Sequence, residues 1–191
     1  MLTDDAWYVD LVLSGSGIAD QAARDITFER VQFHRFGMQR VRLQTSQFRD
    51  VRCDTCDLSE AGWEKVLLRR VELIDCRMLG LKATEGRLRD VLVRGCNATY
   101  ATFYGAVFKV ARFERCILKD SSFTGADLSG VTFDRCDLTN ADLRDAKLAG
   151  ADFRGSQIDG MRVTLRELQG AIIDISQAAV LMRTFGVLVE P

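Results

Sequence analysis

From Phe28 to Val163 every fifth residue is apolar or small, an unbroken run of 28 positions. Nine are Phe, ten Leu, two Met, two Val and two Ala, with Cys53, Trp63 and Ile158 completing the set. The residue two places before each centre forms a second inward series of Ala, Val, Cys and similar side chains, broken only at Ser46, Gly86, Ser121 and Ser156. The other three positions of each block are mostly charged, polar or Gly, and eight of the 15 glycines stand at the block end. A strict period of five fits neither a helix, with its period of about 3.6, nor a strand, with its period of about 2. Two inward residues followed by a backbone corner describe instead one side of a solenoid coil. Gly suits that corner because it enters left-handed dihedrals without steric cost.

Cysteine carries a longer period. Cys56, Cys76, Cys96, Cys116 and Cys136 stand 20 residues apart, and each opens its block. Four blocks per turn stack them in one column, the behaviour of a repeat that contacts only its neighbours. An all-β solenoid is therefore predicted over residues 26–165, about seven coils of roughly 4.8 Å each. Residues 1–25 are read as an N-terminal cap or a first weak coil through Tyr8, Leu13, Ile18 and Ala23, with Asp4, Asp5 and Asp10 as its polar cover.

Blocks such as Ala126-Asp-Leu-Ser-Gly and Ala141-Asp-Leu-Arg-Asp, with Asp137-Leu138 and Asp152-Phe153, resemble the pentapeptide-repeat family, whose pattern is Ala-[Asp/Asn]-Leu-x-x. The resemblance implies a right-handed quadrilateral β-helix over residues 26–165.

Past Val163 the phase of five stops. Thr164 and Glu167 have the spacing of a capping box and predict one short helical turn. A helix is predicted over 177–185, preceded by Asp174–Ser176 and stopped by Gly186, with Ala178, Leu181, Met182 and Phe185 on one face. Residues 166–191 thus read as a helical capping and dimerisation module, since they carry more apolar surface than a lid needs. Their pattern also resembles the C-terminal end of the quinolone-resistance pentapeptide-repeat proteins. That resemblance implies a two-fold homodimer, here through Leu181, Met182, Phe185, Val187 and Leu188.

Lys and Arg number 26 against 27 Asp and Glu, a net charge of −1, which argues against a dedicated basic nucleic-acid binder. The balance is an average: residues 1–25 carry −4, 26–125 carry +6, 126–165 carry −2 and the remainder −1. Six cysteines without an N-terminal apolar run point to a reduced, cytoplasmic protein rather than a secreted disulfide scaffold. No apolar run approaches the roughly 18 residues of a membrane span.

Candidate chemistry is sparse. The single histidine, His34, is outward beside Arg35, without the partners of a nucleophilic triad. The cysteine column reads as small apolar filler, and the glycines are too dispersed for a phosphate loop. No catalytic residue, metal or cofactor is expected, and function falls to the outer surface. Three features stand out there. The acids Asp137, Asp142, Asp145, Asp152 and Asp159 lie towards the module. Leu79, Tyr100 and Tyr104 are outward and apolar where the centres shrink to Ala83 and Ala98. One face carries Arg30, Arg49, Arg69, Arg70, Arg87, Arg89, Lys109 and Lys147, for a net charge of +4.

The resemblance to quinolone-resistance proteins implies binding to a type II topoisomerase, DNA gyrase or topoisomerase IV, as a DNA mimic. The basic distal coils confine such mimicry to the acidic region, hence a partial mimic. The other reading is a protein–protein interaction scaffold unrelated to topoisomerases. Neither direct nucleic-acid binding nor a membrane contact is expected.

Overall fold

The computed structural model describes residues 1–190 of the 191-residue chain. The backbone winds as a β-solenoid that ends in one short helix, α1 (Ile175–Thr184). Pairing is parallel throughout, and every partner lies 20 residues away. One ladder runs Trp7, Thr27, Gln47, Leu67, Arg87 and Val107, and continues through Asp127 to Lys147. The register extends past 26–165 at both ends, with Val12 opposite Gln32, Ala22 opposite Arg42, and Asp152 opposite Ile172. Residues 7–24 therefore pair as a coil. Leu2 is buried, and its N–H donates to Gln21 Oε1 at 2.6 Å.

Both inward rows are buried from Ile26 to Val163. Side chains 20 residues apart stack: the rings of Phe113, Phe133 and Phe153 follow one another at 5.1 and 5.0 Å, within 10° of parallel. Trp63, the largest core side chain, sits between Leu43 and Ala83 in its column, so the small residue offsets the bulk of its neighbour.

The corner at each block end takes left-handed dihedrals, with φ from 47° at Arg35 to 62° at Asp20 among residues other than Gly. The corner N–H then donates to the next coil, as from Arg30 to the Arg49 carbonyl at 2.9 Å. Asp, Asn and Gly fill most corners because they tolerate this region best. Val110, at φ 55°, is the β-branched apolar exception.

Thr164 and Glu167 form the single turn expected of them. The Thr164 N–H donates to Glu167 Oε2 at 2.7 Å, and the Leu168 N–H donates to the Thr164 carbonyl at 3.3 Å. Helix α1 begins two residues earlier than the sequence suggested, because Asp174 is itself the N-cap. Its carboxylate accepts from the Gln177 N–H at 2.9 Å, while Gln177 Oε1 accepts from the Asp174 N–H at 3.0 Å. Among the described residues no helix is long and apolar enough to cross a membrane.

Candidate functional site

The C-terminal module is joined to the last coil by polar as well as apolar contacts. Gln177 is buried, and its Nε2 donates to the carbonyls of Phe153 at 2.6 Å and Ser156 at 2.7 Å. The Asp174 carboxylate also accepts from the Gly155 N–H at 3.1 Å and the Ser176 hydroxyl at 2.6 Å. The Ser176 hydroxyl and these backbone donors hold the Asp174 carboxyl down at about 2.

The proposed dimer residues divide. Leu181 is only 1% exposed and belongs to the chain's own core, so it is unavailable to a second copy. The 3–4 spacing places it on an apolar helical face, and at Leu181 that face looks inward. Met182 and Phe185 are half-buried, whereas Val187 and Leu188 are exposed. Ile175, Ile172 and Leu165 join them outside, and the helical stripe gave no signal of these three.

The acids divide as well. Asp142 is buried, with Arg144 at 2.6 Å and Arg162 at 3.6 Å on its carboxylate, so it offers little charge to a partner. Arg144 above all holds its carboxyl below the usual range. Asp152 is paired with Arg154 at 2.7 Å and Asp137 with Lys119 at 3.1 Å. Asp145 and Asp159 are exposed and, among the described residues, have no cation within ion-pair distance.

Tyr100 and Tyr104 are 66% and 53% exposed, while Leu79 is half-buried. Val110, 75% exposed, stands one coil side away at a block-end corner, a position the repeat pattern fills mostly with polar residues and Gly. His34 is exposed, with Asp54 Oδ2 at 4.0 Å.

The cysteine column is a hydrogen-bonded stack. Cys56, Cys76, Cys96 and Cys116 each donate from Sγ to a carbonyl 23 residues earlier, on Phe33, Cys53, Leu73 and Val93, at 3.3 to 3.5 Å. Ser156 ends the column and repeats the bond with oxygen, donating to the Phe133 carbonyl at 2.8 Å. Off the column, the fully buried Cys53 has its thiol pushed well up by the neighbouring Cys56 and by burial. Among the described residues no group of three or more His, Cys, Asp or Glu is arranged to hold a metal ion. An open groove of about 1060 Å³ lies on the outside of the coil, where Gly62 leaves a gap between Arg42 and Lys82.

Comparison with protein families agrees with this architecture. A model of the pentapeptide repeat region matches residues 46–123, and a model of eight pentapeptide repeats matches residues 116–155. The chain belongs to the pentapeptide-repeat family. A search of curated proteins found no match. Among solved structures, this pentapeptide-repeat protein is similar to a trypsin-treated form of QnrB1, a plasmid-mediated fluoroquinolone resistance protein, at 18% identity. That match covers 96% of this chain and 100% of the other, with a TM-score of 0.51. HetL, a pentapeptide repeat protein involved in heterocyst differentiation regulation in the cyanobacterium Nostoc, matches at 18% identity over 89% of this chain and 90% of its own, with a TM-score of 0.38. A pentapeptide repeat protein of the Arabidopsis thaliana thylakoid lumen matches at 25% identity over 56% and 71%, with a TM-score of 0.45. QnrB1 shows the shared fold.

Proposed function

We propose that this pentapeptide-repeat protein is a non-enzymatic binding rod that pairs with a second copy through its C-terminal module and engages a type II topoisomerase as a partial DNA mimic, modulating or protecting it. The observation that carries a binding role is the filled interior. Both inward rows are buried, so a partner meets the outside of the coil. The fold shared with a fluoroquinolone resistance protein along nearly the whole chain supports DNA gyrase or topoisomerase IV as the partner.

On this reading residues 26–165 are the rod, 1–25 its N-terminal cap or coil and 166–191 the dimer module. Four five-residue sides per turn support a quadrilateral section, and the twist of L-residue strands favours the right-handed sense. Met182, Phe185, Val187 and Leu188 form the dimer surface, joined by Ile175. Asp145 and Asp159 supply the free negative charge. Six buried, unbridged thiols support a reducing compartment, the cytoplasm.

The deciding assay is gyrase supercoiling and fluoroquinolone-induced cleavage titrated with the purified protein. An effect lost in Asp145→Arg/Asp159→Arg supports both the partner and the site. No effect of the wild type at large molar excess removes the topoisomerase. Light scattering of the wild type and of Leu188→Arg tests the dimer, with a monomeric wild type as the overturning result. A protein-interaction scaffold unrelated to topoisomerases is the second reading, favoured by the exposed Tyr100 and Tyr104.

A further inference from the structure

Arg49, Arg69, Arg89 and Lys109 are direct register partners in four successive strands, Gln47–Asp54, Leu67–Ile74, Arg87–Arg94 and Val107–Glu114. All four side chains are exposed. Among the described residues the only carboxylate within ion-pair distance of any of them is Asp90, 3.6 Å from Arg89. Like charges directly opposite across strands repel and destabilise a sheet.

Elsewhere the chain avoids this arrangement. Arg30 pairs with Asp10, Arg40 with Asp20, Arg70 with Asp50, Arg52 with Glu72 and Arg94 with Glu114, each across one 20-residue step. No other outward column has more than two like charges in succession. The adjacent corner column alternates Asp10, Arg30, Asp50, Arg70 and Asp90. It then breaks at Val110, apolar, 75% exposed and at φ 55°, beside Lys109. Neither solubility nor backbone preference asks for Val there, and an exposed residue held in a disfavoured conformation points to use.

We propose that Arg49, Arg69, Arg89 and Lys109, with Val110 at their edge, form a docking surface for a short acidic segment of a partner protein that also carries an apolar side chain. The surface is distinct from Asp145 and Asp159, and the proposal stands whether or not the partner of those acids is a topoisomerase. Four rungs at about 4.8 Å span about 14 Å, the reach of four or five extended residues. The charge pattern selects a short segment over a nucleic acid. Asp50 and Asp90 lie alongside, and Glu29 and Asp127 close the two ends of the face, so a duplex with a charge every ~1.7 Å meets carboxylates beyond the four rungs. The outward positions of this face in these coils hold no aromatic side chain on which bases could stack.

The test is fluorescence anisotropy of the full chain with a labelled probe peptide of alternating glutamate and leucine. Arg69→Glu/Arg89→Glu should weaken binding at least about tenfold, and Arg69→Gln/Arg89→Gln should do so to a smaller extent. Both should keep the wild-type circular dichroism and melting cooperativity, since these side chains lie outside the core. Arg115→Glu/Arg135→Glu, an equal change of charge on the next face, should leave binding unchanged. Val110→Gly should weaken it by about threefold, the loss of one small apolar contact. Equal weakening by the Arg115 and Arg135 variant would mean attraction to net charge alone and overturn the proposal. So would an absence of peptide binding, or tighter binding of a 20-base-pair duplex than of the peptide through the same arginines.

Discussion

Gln177 Nε2 lies 2.6 Å from the Phe153 carbonyl and 2.7 Å from that of Ser156, carrying a helical side chain into the last turn of the solenoid. Each coil satisfies the carbonyls of the one before it, so the final coil would leave acceptors unpaired inside an apolar interior. One amide, buried beneath α1, pairs the Ser156 carbonyl and adds a second donor to that of Phe153. Gln177→Leu keeps the bulk and removes the donors, leaving the Ser156 carbonyl unsatisfied and the Phe153 carbonyl with only the Ser156 N–H, at 3.0 Å. It is expected to cost about 1–3 kcal/mol, the cost of one buried unpaired group. Urea denaturation followed by circular dichroism checks this, and an unchanged midpoint would remove Gln177 from the cap.

The other half of that capping box responds to acid. Asp174 is held at about 2 in the folded chain by the Ser176 hydroxyl and the N–H groups of Gln177 and Gly155, against an unfolded value of about 3.9. A carboxyl whose folded pKa is depressed stabilises the fold fully above the unfolded value and loses that contribution as the pH falls towards the folded one. Stability should therefore decline between about pH 4 and pH 2, partly through this group. Asp174→Asn keeps a capping oxygen and cannot titrate, so its denaturation midpoint should fall less steeply over that window. Parallel slopes for the two proteins would refute the assignment.

In the cysteine column the donor matters more than the sulfur. Cys96 donates to the Leu73 carbonyl at 3.4 Å and accepts from the Cys76 N–H at 3.3 Å, the two roles that Ser156 fills with oxygen towards Phe133 and Cys136. Cys96→Ser is expected to cost under about 1 kcal/mol. Cys96→Val, which keeps apolar bulk but pairs with neither group, should cost about 2 kcal/mol. Chemical denaturation of the two variants gives the order, and a valine variant as stable as wild type would show that the column is packing alone. None of the six buried thiols should react with a thiol reagent until the chain is unfolded.

Val110 holds a left-handed corner without the side-chain bond that Thr45 makes to Asp25 or the freedom of a glycine. Val110→Gly removes a steric cost of about 1–2 kcal/mol and adds up to about 1 kcal/mol of backbone entropy cost. The 75% exposed side chain surrenders little packing. A gain of roughly 0.5–1 kcal/mol is expected in thermal or urea unfolding, and a loss of stability would show that Val110 packs within its own chain.

The solenoid was legible because its determinants are local and repeated. A period of five with two inward residues sets the corner, and a cysteine every 20 residues sets how many corners close a turn. Cys96 under Cys116 and Phe113 under Phe133 follow without knowledge of any long-range contact. The fates of side chains near the ends were less legible. Leu181 and Leu188 are both apolar residues of one short module, and nothing in their spacing says that the first is buried and the second exposed.

The sequence by itself determined the coil, its inward rows and the chain's membership of a repeat family, since each block sees the same neighbours wherever it lies. Tertiary structure alone decided what the outside offers. Asp142 and Asp145 are three residues apart, yet the first is buried against Arg144 and Arg162 and the second is free. Arg70 is neutralised by Asp50, while Arg69 beside it faces Arg49 and Arg89. An outward charge is offered or cancelled by the side chain one coil away, and that pairing depends on rotamer and reach rather than on the period that built the rod.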